Sequence, residues 1–103
     1  MHASPYEIIL SKTRFRNSDY PRPWLVVSPA LPDPQDPSKQ VVLAVSISTK
    51  FDLFDERAHF EIEATDPDFK GTGLDARSYV VGDLPAWIST DSLERKLGEL
   101  RGI

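Results

Sequence analysis

The sequence predicts a mainly β fold: a small antiparallel barrel or half-open sheet of five to six short strands with one C-terminal helix against it. Three observations carry this. The apolar runs are short and bounded by clusters of Pro, Gly, Asp and Ser, the punctuation of strands joined by turns. His59 to Ala64 alternates polar and apolar residues with a period of two, as a half-buried strand does. Only the stretch after Asp91 shows helical spacing, so no strand–helix alternation supports a parallel sheet.

Taken in order, Tyr6-Glu7-Ile8-Ile9-Leu10 is the first strand, apolar enough for burial on at least one face. Ser11 to Tyr20 is polar and basic and reads as an exposed connection. Trp24 to Ser28 is the second strand, large and apolar with two valines. Pro29, Pro32, Pro34 and Pro37 then fall close together, which excludes a helix or a central strand and predicts a semi-rigid surface loop. Gln40 to Ser48 is the strongest strand signal. Its second half places Val45 and Ile47 on one face and Ser46 and Ser48, as outward polar residues, on the other.

Lys50 to Arg57 reads as a charged turn. His59 to Ala64 is the alternating strand, with Phe60, Ile62 and Ala64 expected inward. Asp66 to Asp75 is a loop whose Lys70-Gly71-Thr72-Gly73 matches neither Gly-rich nucleotide fingerprint and is read as turn chemistry. Arg77 to Val81 and, after the break at Pro85, Ala86 to Ser89 are two further strands. Asp91 then opens the expected helix: Asp91-x-x-Glu94 has capping-box spacing, Leu93, Leu97 and Leu100 share one helical face, and Gly102 is a stop.

The chain has 103 residues, 40% hydrophobic and 27% charged, which suits one domain spanning residues 1–103. It lacks cysteine, which rules out a disulfide framework, a thiol nucleophile and a Cys-based zinc site. Met1 to Tyr6 has no charged segment followed by a long apolar one, and no run approaches the ~20 residues of a membrane helix, so a soluble cytoplasmic protein is expected. Neither a metal nor a cofactor is expected.

The net charge is −4. It is unevenly spread: Lys12, Arg14, Arg16 and Arg22 make the first third basic, whereas the middle third is acidic. A local basic patch can meet a phosphate chain, although the overall field would not steer one strongly. Within that patch Phe15 and Tyr20 lie among Lys12, Arg14 and Arg16, a combination of stacking platforms and cations that suits single-stranded RNA.

Pro21-Arg22-Pro23-Trp24 sharpens the expectation. Two prolines stiffen the approach to a buried strand and present one guanidinium at its mouth. A charge that cannot be lost, at the rim of a core, suits a phosphate or carboxylate. The competing reading is a solvated arginine before a core strand.

Four blocks in this order resemble the MazF/PemK (Kid-type) toxins of bacterial type II toxin–antitoxin systems. They are Arg22-Pro23-Trp24-Leu25-Val26-Val27-Ser28, Leu43-Ala44-Val45-Ser46, His59-Phe60-Glu61-Ile62, and Gly73-Leu74-Asp75-Ala76-Arg77-Ser78-Tyr79-Val80-Val81-Gly82-Asp83-Leu84. The resemblance implies an SH3-like barrel, a homodimer, cleavage of single-stranded RNA without a metal, and a cognate antitoxin that restrains it. It also implies two catalytic residues, Arg22 for charge stabilisation and Ser46 as a phosphate ligand. Asp83 is a further candidate, as an acid/base group, with capping of a turn at Gly82-Asp83 as the competing use. The chain departs from the family where Val81 and the Ala86–Ile88 stretch stand in place of common arginines, which leaves fewer cations beside a reacting phosphate. Two alternatives follow: a catalytically inactive member that binds an antitoxin-like partner, and a gyrase-directed poison, which the Arg101-Gly102-Ile103 tail supports poorly because it lacks that family's aromatic.

Overall fold

The computed structural model describes residues 2–11, 21–49 and 59–100. Among these residues seven strands form one antiparallel sheet: β1 (Glu7–Ser11), β2 (Arg22–Val26), β3 (Leu31–Pro32), β4 (Gln40–Ser48), β5 (His59–Ile62), β6 (Ser78–Ser89) and β7 (Leu93–Glu99). Their spatial order is β5-β6-β4-β2-β1-β7, with β3 paired to the start of β4, and the sheet curls as a half-barrel. Among the described residues no helix is long and apolar enough to cross a membrane.

The expected mainly β architecture is present, but the C-terminal helix is not. Thr90–Ser92 is a single 3-10 turn, and Leu93 to Glu99 is a strand paired antiparallel to β1. The cap is supplied by Ser89, whose Oγ accepts the Asp91 N–H at 3.2 Å, so the helix signal is real for one turn only. Tertiary pairing then decides. β1 is a buried strand with an open outer edge, and β7 satisfies its backbone groups. Two register shifts in β7 turn Leu93 toward one core and Leu97 toward the other, where a helix would have held both on one stripe.

Both faces of the sheet carry a core. Ile9, Trp24, Val26, Val42, Ala44, Ile88 and Leu93 pack on one face; Ile8, Leu25, Val45, Ile47, Ile62 and Val80 pack on the other. This is why β4 departs from the half-exposed pattern. The alternation of Val45 and Ile47 with Ser46 and Ser48 is as expected, yet all four are buried because each face is covered. β5 is shorter than expected and stops at Ile62; Ile62 is fully buried, Phe60 is 44% exposed and Ala64 lies beyond the strand.

The two strands expected on either side of Pro85 are one. β6 runs from Ser78 to Ser89, with Ser46 opposite Val81 and Val45 opposite Pro85, so residues 82–84 form a bulge in the ladder. Proline sits where a bulge already interrupts the hydrogen bonds. β3 is a two-residue strand inside the Pro-rich segment, tolerated because it pairs on one side only. β2 ends before Ser28, whose Oγ accepts the Leu43 N–H at 2.9 Å and donates to the Pro29 carbonyl at 2.9 Å.

Two glycines fix how the segment before β6 meets β7. Gly73 follows the 3-10 turn Phe69–Thr72 with φ of 73°, the left-handed conformation a side chain resists. A Cβ there would collide with the Leu97 backbone, and one at Gly98 would collide with the backbone of Gly71 and Thr72. The turn and β7 therefore touch backbone to backbone, which seats Phe69, Leu74, Leu97 and Leu100 over the second core.

Candidate RNA-binding cleft

Arg22 opens β2 opposite Ser11 of β1, and the strand it begins is buried from Trp24 onward. The flanking prolines fix its backbone, so the residue is held at the strand mouth. It is half-buried and forms no ion pair or hydrogen bond with another described residue. Pro21, Arg22, Pro23, Ile47, Ser48, Thr49 and Ser78 line a cleft of about 320 Å³ at this end of the sheet.

A second cleft of about 300 Å³ adjoins it, lined among others by Leu10, Pro23, Thr49, Leu74, Asp75, Ser78, Arg95 and Leu97. Pro23, Thr49 and Ser78 belong to both, so the two are parts of one groove crossing the ends of β1, β2, β4 and β6. Its walls are apolar, its rim carries hydroxyls, and it holds Arg22, Arg95 and the carboxylate of Asp75. The Ser78 hydroxyl donates to the Ala76 carbonyl at 2.8 Å, which fixes its orientation.

The sequence-derived site is only partly assembled here. Arg22 lines the groove. Ser46 does not reach it: the residue is 1% exposed, paired between Trp24 of β2 and Val81 of β6, and its Oγ has no hydrogen-bond partner among the described residues. The hydroxyls at the groove come instead from Ser48, Thr49 and Ser78. Period-two alternation correctly put Ser46 and Ser48 on one face; it could not show that both are buried and that only Ser48 borders the cleft. The backbone of Asp83 lies in the β6 bulge, on the part of the strand that leads away from Ser48. Lys12, Arg14, Phe15, Arg16 and Tyr20 lie outside the described residues.

Two other cations, Arg77 and Lys96, are committed elsewhere. Arg77 pairs with Glu61 at 3.3 Å and lies over the Tyr79 ring at 5.8 Å. Lys96 donates to Glu7 at 2.7 Å and to Glu99 at 2.9 Å. Burial alone would raise the Glu7 carboxyl, but the Lys96 ammonium and the Ser4 N–H at 2.6 Å outweigh it and hold the group below its ordinary value. The same contacts raise Lys96. This cluster clamps β7 to β1 and lies outside the groove. Among the described residues no three His, Asp or Glu side chains converge as a metal site.

The opposite end of the sheet has a different character. Leu31, Pro32, Asp33, Pro34, Gln35, Val41 and Trp87 line an apolar groove of about 400 Å³, and Trp87 is 58% exposed. Asp33 and Asp36 shape the turn behind it: Asp33 accepts the Gln35 N–H at 2.9 Å, and Asp36 accepts the Ser38 hydroxyl at 2.6 Å, which lowers its pKa.

No protein-family model matches the chain, and no curated protein matches it.

Proposed function

We propose that this chain is a toxin of the MazF/PemK type, an SH3-like endoribonuclease that cleaves single-stranded RNA in the cytoplasm without a metal, works as a homodimer and is restrained by a cognate antitoxin. The observation that carries the reading is Arg22: a guanidinium held by two prolines at the mouth of a hydroxyl-lined cleft, with no partner among the described residues. Such a group is available to a phosphodiester and is already partly withdrawn from water, where its attraction to phosphate is stronger.

In this reading the RNA 2′-oxygen attacks the adjacent phosphorus, the bond to the 5′-oxygen breaks, and a 2′,3′-cyclic phosphate remains. The proton lost by the 2′-hydroxyl is matched by one gained at the 5′-oxygen, so no water is consumed. Arg22 stabilises the charge that grows on the phosphorane oxygens. Ser48 and Thr49 take the phosphate-binding role first expected of Ser46, because they line the cleft and Ser46 does not. Asp83 keeps the expected acid/base role as part of the proposal.

A second reading, an inactive member that serves as a binding module, draws on the apolar Trp87 groove and on the burial of Ser46. One experiment separates the two. Purified protein is incubated with a long single-stranded RNA in EDTA and the cut ends are mapped. Discrete cuts with cyclic phosphate ends, lost in Arg22→Ala, support the nuclease; an intact transcript at high protein concentration supports the binding module.

A further inference from the structure

We infer that Arg95 is a second phosphate-binding residue of the same groove, acting with Arg22 on consecutive parts of one RNA backbone; the inference rests on the RNA reading above. The sequence alone placed Arg95 on a helix. The structure places it on β7, opposite Leu10 of β1, and Leu10 is itself opposite Pro23 of β2. Residues paired across antiparallel strands share a face, so Pro23, Leu10 and Arg95 form one row across three strands. Neighbouring strands lie about 4.8 Å apart, which puts Arg95 about 10 Å from Pro23 across β1. Arg22, one residue before Pro23, alternates to the other face and meets this row at the strand end, where the two clefts share Pro23, Thr49 and Ser78.

Three further facts fit this role. Arg95 lines the cleft that shares Pro23, Thr49 and Ser78 with the Arg22 cleft. It is exposed and has no ion pair or hydrogen bond with a described residue, whereas Arg77 and Lys96 are both paired. Beside Arg95 the cleft is walled by the apolar residues Leu10, Pro23, Leu74 and Leu97, a surface on which a base or ribose can lie while the phosphates meet the cations. Asp75 on the same rim disfavours a phosphate beside it, which leaves the Arg22-to-Arg95 line as the path for the backbone.

The test is equilibrium binding of a fluorescently labelled, unstructured single-stranded RNA, followed by anisotropy across a salt series. It compares the full chain with Arg22→Ala, Arg95→Ala, Arg95→Lys and, as a control for generic charge loss at the other end of the sheet, Lys39→Ala. Arg95→Ala is expected to weaken binding and to lower the log–log salt slope by about 0.7, the share of one phosphate contact on a single strand. Arg95→Lys should retain the slope, and Lys39→Ala should leave both quantities unchanged. If Arg22→Ala lowers the slope and Arg95→Ala matches the parent protein, the Arg95 assignment is overturned while the RNA reading stands. If the parent protein binds no RNA, the reading itself fails and the inference goes with it. Circular dichroism of each variant identifies any that do not fold, and Arg95→Gln then replaces Arg95→Ala.

Discussion

The two ends of the sheet use the same strands to make opposite surfaces. At one end β4 finishes in Ser48 and Thr49 beside Arg22, and the strand termini present hydroxyls and a cation with no partner among the described residues. At the other end β4 begins with Val41 against Leu31 and Trp87, and the Pro-rich segment holds an apolar wall. The difference arises from what each strand meets outside the ladder. A proline-flanked cation makes a polar rim, whereas a proline-braced turn leaves an aromatic surface uncovered. The first end offers a cation and hydroxyls, the second an apolar wall.

The largest expected effect separates these ends directly. Arg22→Ala should lower the rate of RNA cleavage by about 10²- to 10³-fold, the usual loss for one transition-state charge donor, while Trp87→Ala leaves the rate near that of the parent. Equal losses in both variants would mean that the ends do not divide the work as described.

Next in size is the support of the Arg95 cleft. Gly98→Ala forces a Cβ into the backbone of Gly71 and Thr72, so it should destabilise the fold by about 3 kcal/mol or more in urea unfolding. Gly71→Ala, which meets nothing within 4 Å, should cost less than about 1 kcal/mol.

A smaller effect distinguishes two neighbouring serines. Ser46→Ala removes a buried hydroxyl that has no hydrogen-bond partner among the described residues, so stability should stay the same or rise by about 1 kcal/mol with cleavage unchanged. Ser48→Ala should reduce cleavage instead. A Ser46→Ala protein that folds well and has lost activity would return the phosphate to Ser46.

The smallest expected effect lies away from both grooves. Glu7 has a lowered pKa in the fold, so its contribution to stability is fully present above its ordinary value of 4.5 and is lost as pH falls below it. Glu7→Gln should therefore flatten the acid limb of the stability–pH curve without changing RNA binding. Lys96 behaves in the opposite sense: its contribution is full below its ordinary value of 10.5 and fades only as pH rises past its raised one.

By itself the sequence determined the strands whose residues carry their own pattern. The Ile8-Ile9 pair, the Trp24 to Val26 run and the Val41 to Ser48 stretch read as strands because buried apolar residues with β-branching pack well on a pleated surface, whatever their neighbours. The proline-held presentation of Arg22 was legible for a similar reason, since proline acts on the backbone locally.

Only the tertiary structure decided the rest. Leu93, Leu97 and Leu100 fit a helix by spacing, but β1 offered an unpaired edge, and satisfying its backbone groups outweighed a weak local preference interrupted by Gly98. Burial of Ser46 depends on a second covered face that no single strand encodes. The position of Arg95 depends on the register of β7 against β1, which two bulges set and which cannot be read from the order of residues.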